Sequence, residues 1–312
     1  MARYLITGGA GFIGSNLAHA IVARGAEVRI LDNFSTGREV NLRGIEERIH
    51  VMRGDIRDLD TVRAAVEGVD YVLHQAALPS VQRSVDNPLE TDRVNVQGTL
   101  HVLQSAKAAG VKRVVFAASS SAYGETPTLP KVETMAPDPL SPYAVSKLAG
   151  ESYCKVFHHT YGLETVALRY FNVFGPRQDP KSQYAAVIPN FVTAVLRGQQ
   201  PTIYGDGLQS RDFCFIDNCV EANLKACTAP GAAGRVYNIA CGEQTTLLDV
   251  CRALGKIAGR VVAPRHLEVR RGDIKHSLAD ITRARTDLGY TGAISFAEGL
   301  RRTVAWYREQ LA

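Results

Sequence analysis

The chain has 312 residues, 46% of them hydrophobic and 21% charged, enough apolar material for one large α/β domain or two smaller lobes. That composition excludes a disordered or collagen-like chain, and no run approaches the ~18–20 apolar residues of a membrane span. Thirty-six Lys and Arg against 31 Asp and Glu leave a formal net charge of +5; nucleic acid, an anionic ligand or a membrane surface would each fit that excess.

In chain order, short apolar runs alternate with amphipathic stretches. Arg3–Thr7 reads as a strand and Phe12–Arg24 as a helix, with Gly25 placed as its C-terminal glycine. Glu27–Leu31 and Ile49–Arg53 read as strands, Leu59–Glu67 as a helix and Tyr71–Leu73 as a fourth strand. A long helix is expected from Leu89 to Ala109, a strand at Val114–Ala118, a helix at Pro142–Thr160 and a strand at Thr165–Leu168. Repeated β-α-β with near-continuous apolar strands predicts a parallel sheet covered on both faces.

After Tyr170 the rhythm changes. Phe171–Tyr184 is polar and rich in Gly, Pro, Asn and Gln. A helix near Val187–Arg197, strands near Thr202–Tyr204, Asp212–Ile216 and Val236–Ile239, and helices near Leu247–Ala258 and Phe296–Gln310 follow. Residues 1–170 are therefore expected to form one domain and 171–312 a smaller α/β lobe, with some later elements returning to the first. Met1–Thr7 leads straight into glycines, so no secretory leader is expected. The six cysteines lack C-x-x-C spacing and read as reduced packing residues of a cytoplasmic protein. The histidines are not at ligand spacing, and no metal site is expected.

Three constellations carry chemistry. Gly8, Gly11 and Gly14 form a G-x-x-G-x-x-G turn between the first strand and helix. Such a turn lets a pyrophosphate approach a helix N-terminus, although a glycine triplet alone also fits an ordinary tight turn. Asp32 ends the second strand, where a carboxylate accepts adenosine-ribose hydroxyls and repels a 2′-phosphate. NAD is therefore favoured, with Arg29 and Arg38 leaving NADP open. Asp55-Ile56 can meet an adenine. Together these predict a Rossmann-type, doubly wound parallel sheet with a smaller C-terminal α/β substrate lobe.

Tyr143 and Lys147 stand at i and i+4 of the helix that Ser141 and Pro142 begin. A phenol beside an ammonium and a positive nicotinamide ring is expected to fall toward neutrality and act as a proton carrier. The alternative is a surface helix pair. Ser119-Ser120-Ser121 leave the strand before it, where a hydroxyl can bond the substrate oxygen or satisfy backbone groups.

These features resemble the extended short-chain dehydrogenase/reductases over essentially the whole chain. Within that family the chain resembles the UDP-sugar 4-epimerases at His74–Ala77, Asn95–Thr99 and Leu168–Gln178. It resembles the branch acting on UDP-N-acetylglucosamine as well as, or instead of, UDP-glucose at Gln178-Asp179-Pro180, Ser210–Phe213 and Gly272–Asp280. The resemblance implies catalysis by Ser119, Tyr143 and Lys147. It implies NAD contacts from Gly8, Gly11, Phe12, Ile13, Gly14, Asp32, Asn33, Ser35, Gly37, Asp55, Ile56, Gln75, Ala76, Ala77, Asn95 and Phe171 beside Tyr143 and Lys147. UDP contacts would come from Asn172, Val187, Tyr204, Arg211, Arg270 and Asp273, and sugar contacts from Ser119 and Tyr143; where the chain departs from better-known hexose epimerases, Ser120 and Ser121 are also expected to face the sugar, and the small Ser277 to leave room for an N-acetyl group.

The implied reaction is C4 epimerisation of a UDP-hexose or UDP-N-acetylhexosamine through a 4-keto sugar. A UDP-glucuronate 4-epimerase needs only a carboxylate-tolerant pocket. A 4,6-dehydratase needs an Asp-Glu pair after the catalytic hydroxyl, where Ser120 and Ser121 stand. A non-catalytic NAD sensor or RNA-associated relative would lack part of Ser119, Tyr143 and Lys147. The expected partners are a UDP-sugar and a second copy of the chain, through the Leu89–Ala109 and Pro142–Thr160 helices; neither nucleic acid nor membrane is expected.

Overall fold

The computed structural model describes residues 1–180, 186–268 and 275–311. The first half runs β1 (Arg3–Thr7), α1 (Phe12–Ala23), β2 (Glu27–Asp32), β3 (Ile49–Arg53), α2 (Leu59–Val66), β4 (Tyr71–His74), α3 (Val81–Asp86) and α4 (Pro88–Asp92). A π turn (Arg93–Gln97) leads into α5 (Gly98–Ala108), followed by β5 (Arg113–Ser119), α6 (Pro142–Tyr161) and β6 (Glu164–Tyr170). The rest comprises β7 (Val173–Phe174), α7 (Val187–Leu196), β8 (Thr202–Tyr204), β9 (Ser210–Arg211), β10 (Cys214–Phe215), α8 (Ile216–Thr228) and β11 (Arg235–Ile239). Last come β12 (Thr245–Thr246), α9 (Leu247–Ala258), β13 (Arg265–Leu267), α10 (Thr282–Leu288) and α11 (Phe296–Leu311).

Seven strands form one parallel sheet in the order β11-β6-β5-β4-β1-β2-β3. Its residues alternate between two cores, as a strand's period of two requires. In β5, Val114, Phe116 and Ala118 join the core that includes Val62, Val66, Val102 and Leu103 of α2 and α5. Val115 and Ala117 of the same strand join the core of α1 and α8. With both faces covered, the strands carry apolar side chains on each, which explains their near-continuous hydrophobic sequence.

The order reverses at β1, whose neighbours are β2 on one side and β4 on the other. Ligands of open α/β sheets lie outside the carboxyl strand ends at such a reversal. Later elements form three pairs: β7 with β10, β9 with β12, and β8 with β13. Phe174 meets Phe213, Phe215 and Phe296 of α11, and Phe213 also meets Phe296, with centroids 5.4–6.1 Å apart.

Several expectations are corrected here. The strand expected at Asp212–Ile216 is only Cys214–Phe215, because Ile216 already starts α8. Helix α8 has no counterpart in the sequence reading. Its buried face carries Asn218 and Asn223, bonded to the Ile294 carbonyl and the Tyr170 hydroxyl, so polar residues interrupt its apolar period. Also unforeseen are α3, α10 and β13, all too short for a clear period. The long helix at Leu89–Ala109 is realised as α4, the π turn and α5.

Among the described residues no helix is long and apolar enough to cross a membrane, and no His, Cys, Asp and Glu cluster could hold a metal. All six cysteines are free thiols, five of them buried.

Candidate active site

A cavity of about 1040 Å³ opens at the carboxyl ends of β1 to β5. Its floor is the glycine turn. Gly8 has φ +69°, and a Cβ there would stand 2.7 Å from the Ala76 nitrogen. A Cβ on Gly14 would stand 2.2 Å from the Gly8 carbonyl oxygen, so only glycine lets α1 start this close to β1. Gly11 is the N-cap and supplies no side-chain bond. The first-turn N–H groups of α1 therefore remain for an anion. This cradle fits the pyrophosphate of NAD.

Asp32 faces the same cavity, 7% exposed. It accepts the Ala10 N–H at 2.9 Å and the Phe34 N–H at 2.7 Å, and burial raises its pKa. A Cβ on Gly37 would stand 2.8 Å from each carboxylate oxygen. Of the two arginines that left NADP open, Arg29 is engaged away from the cavity and Arg38 lines it. Arg29 donates to the Ala65 and Glu67 carbonyls at the end of α2, and Arg38 pairs with Asp179 at 3.4 Å. Asp55 is held below the usual carboxylate range, at about 2, by its bonds to Arg57, with Asn33 adding another. Ile56 presents the apolar surface beside it.

Most predicted cofactor residues line this one cavity: Phe12, Ile13, Asn33, Ser35 and Gly37 with Gln75, Ala76, Ala77, Tyr143 and Lys147. Asn95 and Phe171 do not line it. Asn95 is buried and bonds the Leu78 backbone and Ser146. Phe171 is fully buried against Tyr123. Both carry a wall of the site rather than face its interior. Arg177 lines the cavity, although the sequence reading gave it no role. It has φ +69° and donates to Asn16 Oδ1 at 2.8 Å. Its sequence signal is its place in the Leu168–Gln178 stretch that carries the family resemblance.

Ser141 caps α6 by accepting the Ala144 N–H at 3.1 Å, with Pro142 in the first turn. The helix carries Tyr143 and Lys147 on the cavity wall. Lys147 Nζ donates to the Ala117 carbonyl at 2.8 Å and lies 5.1 Å from the Phe116 ring centroid. Burial lowers it from 10.5 to about 8. Burial raises Tyr143, and a hydrogen bond with Ser119 opposes that rise. Burial is the larger of the two causes, and Ser119 supplies the opposing one. Ser121 donates to Ser119 Oγ at 2.9 Å, and the Ser121 N–H donates to the same oxygen at 3.2 Å. That leaves the Ser119 proton for Tyr143. Ser120 is half-buried beside them.

A second cavity of about 560 Å³ is lined by Asn172, Val187, Tyr204 and Arg211, four of the predicted UDP residues. Ala186 lines both cavities, so they are neighbours. Asn172 has φ +28°, an unusual conformation for a residue with a side chain. Arg211 donates to the Ser210 and Lys275 carbonyls at 3.0 and 3.2 Å. The Ser277 N–H donates to the Ser210 carbonyl at 3.1 Å, which places this serine beside the same strand. Asp212 is fully buried and receives the N–H groups of Cys241, Gly242 and Ala279 at 2.9–3.1 Å. Arg270 and Asp273 lie outside the described residues.

The model of the NAD dependent epimerase/dehydratase family matches residues 4–240. A UDP-glucose 4-epimerase of Mycolicibacterium smegmatis is 38% identical, the match covering 99% of both chains. Among solved structures, a UDP-N-acetylglucosamine 4-epimerase from Methanobrevibacter ruminantium, in complex with UDP-N-acetylmuramic acid, is 40% identical with a TM-score of 0.94, covering 99% of both chains. A UDP-glucose 4-epimerase of Thermus thermophilus in complex with NAD is 37% identical with a TM-score of 0.88, covering 98% of this chain and 99% of that one.

Proposed function

The chain belongs to the NAD dependent epimerase/dehydratase family, and we propose that it is an isomerase inverting C4 of a UDP-hexose or UDP-N-acetylhexosamine. The observation that carries this reading is the convergence of Tyr143, Lys147 and Ser119 beside a glycine-floored cavity, next to the cavity of Asn172, Tyr204 and Arg211. Residues 1–170 would hold NAD and 171–312 the UDP-sugar.

Bound NAD supplies a reversible acceptor for the C4 hydride. Tyr143 removes the proton from the 4-hydroxyl, and Ser119, bonded to the phenol, favours the phenolate that does so. Lys147, beside the developing phenolate, offsets its charge. Arg211 holds the diphosphate by fixed charge, and Asn172, Val187 and Tyr204 retain the uridine while the 4-keto sugar turns its other face. Tyr143 then returns the proton. Arg270, Asp273 and Ser277 complete the substrate contacts in this reading. The positions a dehydratase would use for elimination hold Ser120 and Ser121, which supply no ionisable acid or base.

NMR of products formed from UDP-glucose, UDP-N-acetylglucosamine and UDP-glucuronate tests this. A C4 epimer from either of the first two is expected; none from both would overturn the proposal. Tyr143→Phe should lower kcat by about 10²–10⁴ and leave NAD bound.

The protein is also proposed to be a cytoplasmic homodimer. Its free thiols fit a reducing compartment. Val85 of α3, Leu89 of α4 and Val145 of α6 are more than half exposed, and these helices adjoin. Sedimentation should show the dimer, and Leu89→Glu should shift it to monomer; an unchanged dimer would place the interface elsewhere.

A further inference from the structure

Tyr143 is the second residue of α6, so its N–H has no acceptor within the helix. The helix cap does not serve it, because Ser141 accepts from Ala144. The acceptor is Ser84 Oγ, at 3.0 Å and 59 residues earlier in the chain. Ser84 is fully buried, and its own proton goes to the Val81 carbonyl at 2.6 Å. The direction of this hydroxyl is therefore fixed, with an oxygen lone pair left for α6.

The other peptide group of Tyr143 is held as firmly. Its carbonyl accepts from Ser146 Oγ at 2.8 Å. Ser146 Oγ accepts from Asn95 Nδ2 at 3.0 Å, and Asn95 Oδ1 accepts the Leu78 N–H at 2.8 Å. Leu78 and Ser80, which precede α3, line the large cavity. Asn95 belongs to the π turn, a distortion common at functional sites.

We propose that Ser84 is a positioning residue for Tyr143. From α3 it fixes the start of α6, and with it the placement of the phenol against Ser119. This rests on reading Tyr143 as the acid–base group and adds what sets its position. Without the Ser84 hydroxyl, a buried N–H loses its acceptor, and the helix end must shift to find another. Such a shift harms the reacting geometry far more than it harms binding.

The test compares holoenzyme variants on UDP-glucose, with folding checked by circular dichroism and bound NAD by absorbance. Ser84→Ala is expected to lower kcat about tenfold with KM and bound NAD unchanged. Ser84→Thr keeps the hydroxyl and should restore most of the loss. Ser141→Ala removes the cap of the same helix and should lower Tm with little change in kcat. Equal losses of kcat in Ser84→Ala and Ser141→Ala, or no recovery in a folded Ser84→Thr, would overturn the proposal. If Ser84→Ala does not fold, Ser84→Cys, a weaker acceptor, must show the same selective loss of kcat. Activity retained in Tyr143→Phe would instead overturn the reading of Tyr143, and is distinguishable because it leaves the Ser84 comparison intact.

Discussion

The two cavities are built in different ways. The larger gathers residues from the loops that follow five successive parallel strands, each loop contributing a short local stretch: Gly8–Gly14, Asp32–Arg38, Gly54–Arg57, Gln75–Ser80 and Ala117–Ala118. The smaller gathers Asn172, Val187, Tyr204 and Arg211 from segments joined by two- and three-residue strands. A parallel sheet aligns its strand ends, so local turn chemistry is enough to place a side chain at the first site. At the second, placement depends on contacts between distant segments. Asp212 shows this, since it ties the exit of β11 and the 277–280 segment to β9.

Three measurements would break or sharpen this contrast. The largest expected effect is at the glycine turn. Gly14→Ala places a Cβ 2.2 Å from the Gly8 carbonyl oxygen, and should weaken NAD binding about a hundredfold, measured by titration calorimetry. An effect confined to the UDP-sugar KM would erase the distinction between the cavities. Next comes Asp212→Ala, which leaves the Cys241, Gly242 and Ala279 N–H groups without their acceptor. We expect unfolding to require about 2 kcal/mol less, with a raised KM for UDP-sugar and bound NAD unchanged. Denaturant titration and steady-state kinetics check both parts.

The smallest effect is electrostatic. The Lys147 ammonium is lowered from 10.5 to about 8 by burial. Between those values the unfolded chain holds the proton that the native chain has released, so this group's contribution to stability rises with pH. In nucleotide-free protein, wild type should gain on Lys147→Met by up to about 1 kcal/mol per pH unit across that window. Parallel slopes for the two proteins would show that Lys147 is not desolvated.

Much of the first site could be read from the sequence. The glycine spacing, Asp32 at a strand end and the Tyr143/Lys147 pair are local patterns, and the sheet aligns them. Asn95 and Phe171 lie behind the cavity lining, because which face of a turn or strand exit meets the cavity is set by packing and not by spacing. Arg177 lies in a stretch of family resemblance, but its spacing does not show that it faces the cavity; its position depends on Asn16, 161 residues away. Helix α8 was hidden because Asn218 and Asn223 occupy its buried face, satisfied by the Ile294 carbonyl and the Tyr170 hydroxyl.

By itself the sequence determined the alternating α/β order, the glycine floor, the i, i+4 spacing of Tyr143 and Lys147 and the family. Each follows from the period of apolar residues or from spacing within one turn, and survives whatever the rest of the chain does. Only the tertiary structure decided that Ser84 receives the Tyr143 N–H, that burial raises the phenol against the bond with Ser119, and that Arg29 is committed to the end of α2. Hydrogen bonding and desolvation depend on what surrounds a group, and those surroundings come from segments tens of residues apart.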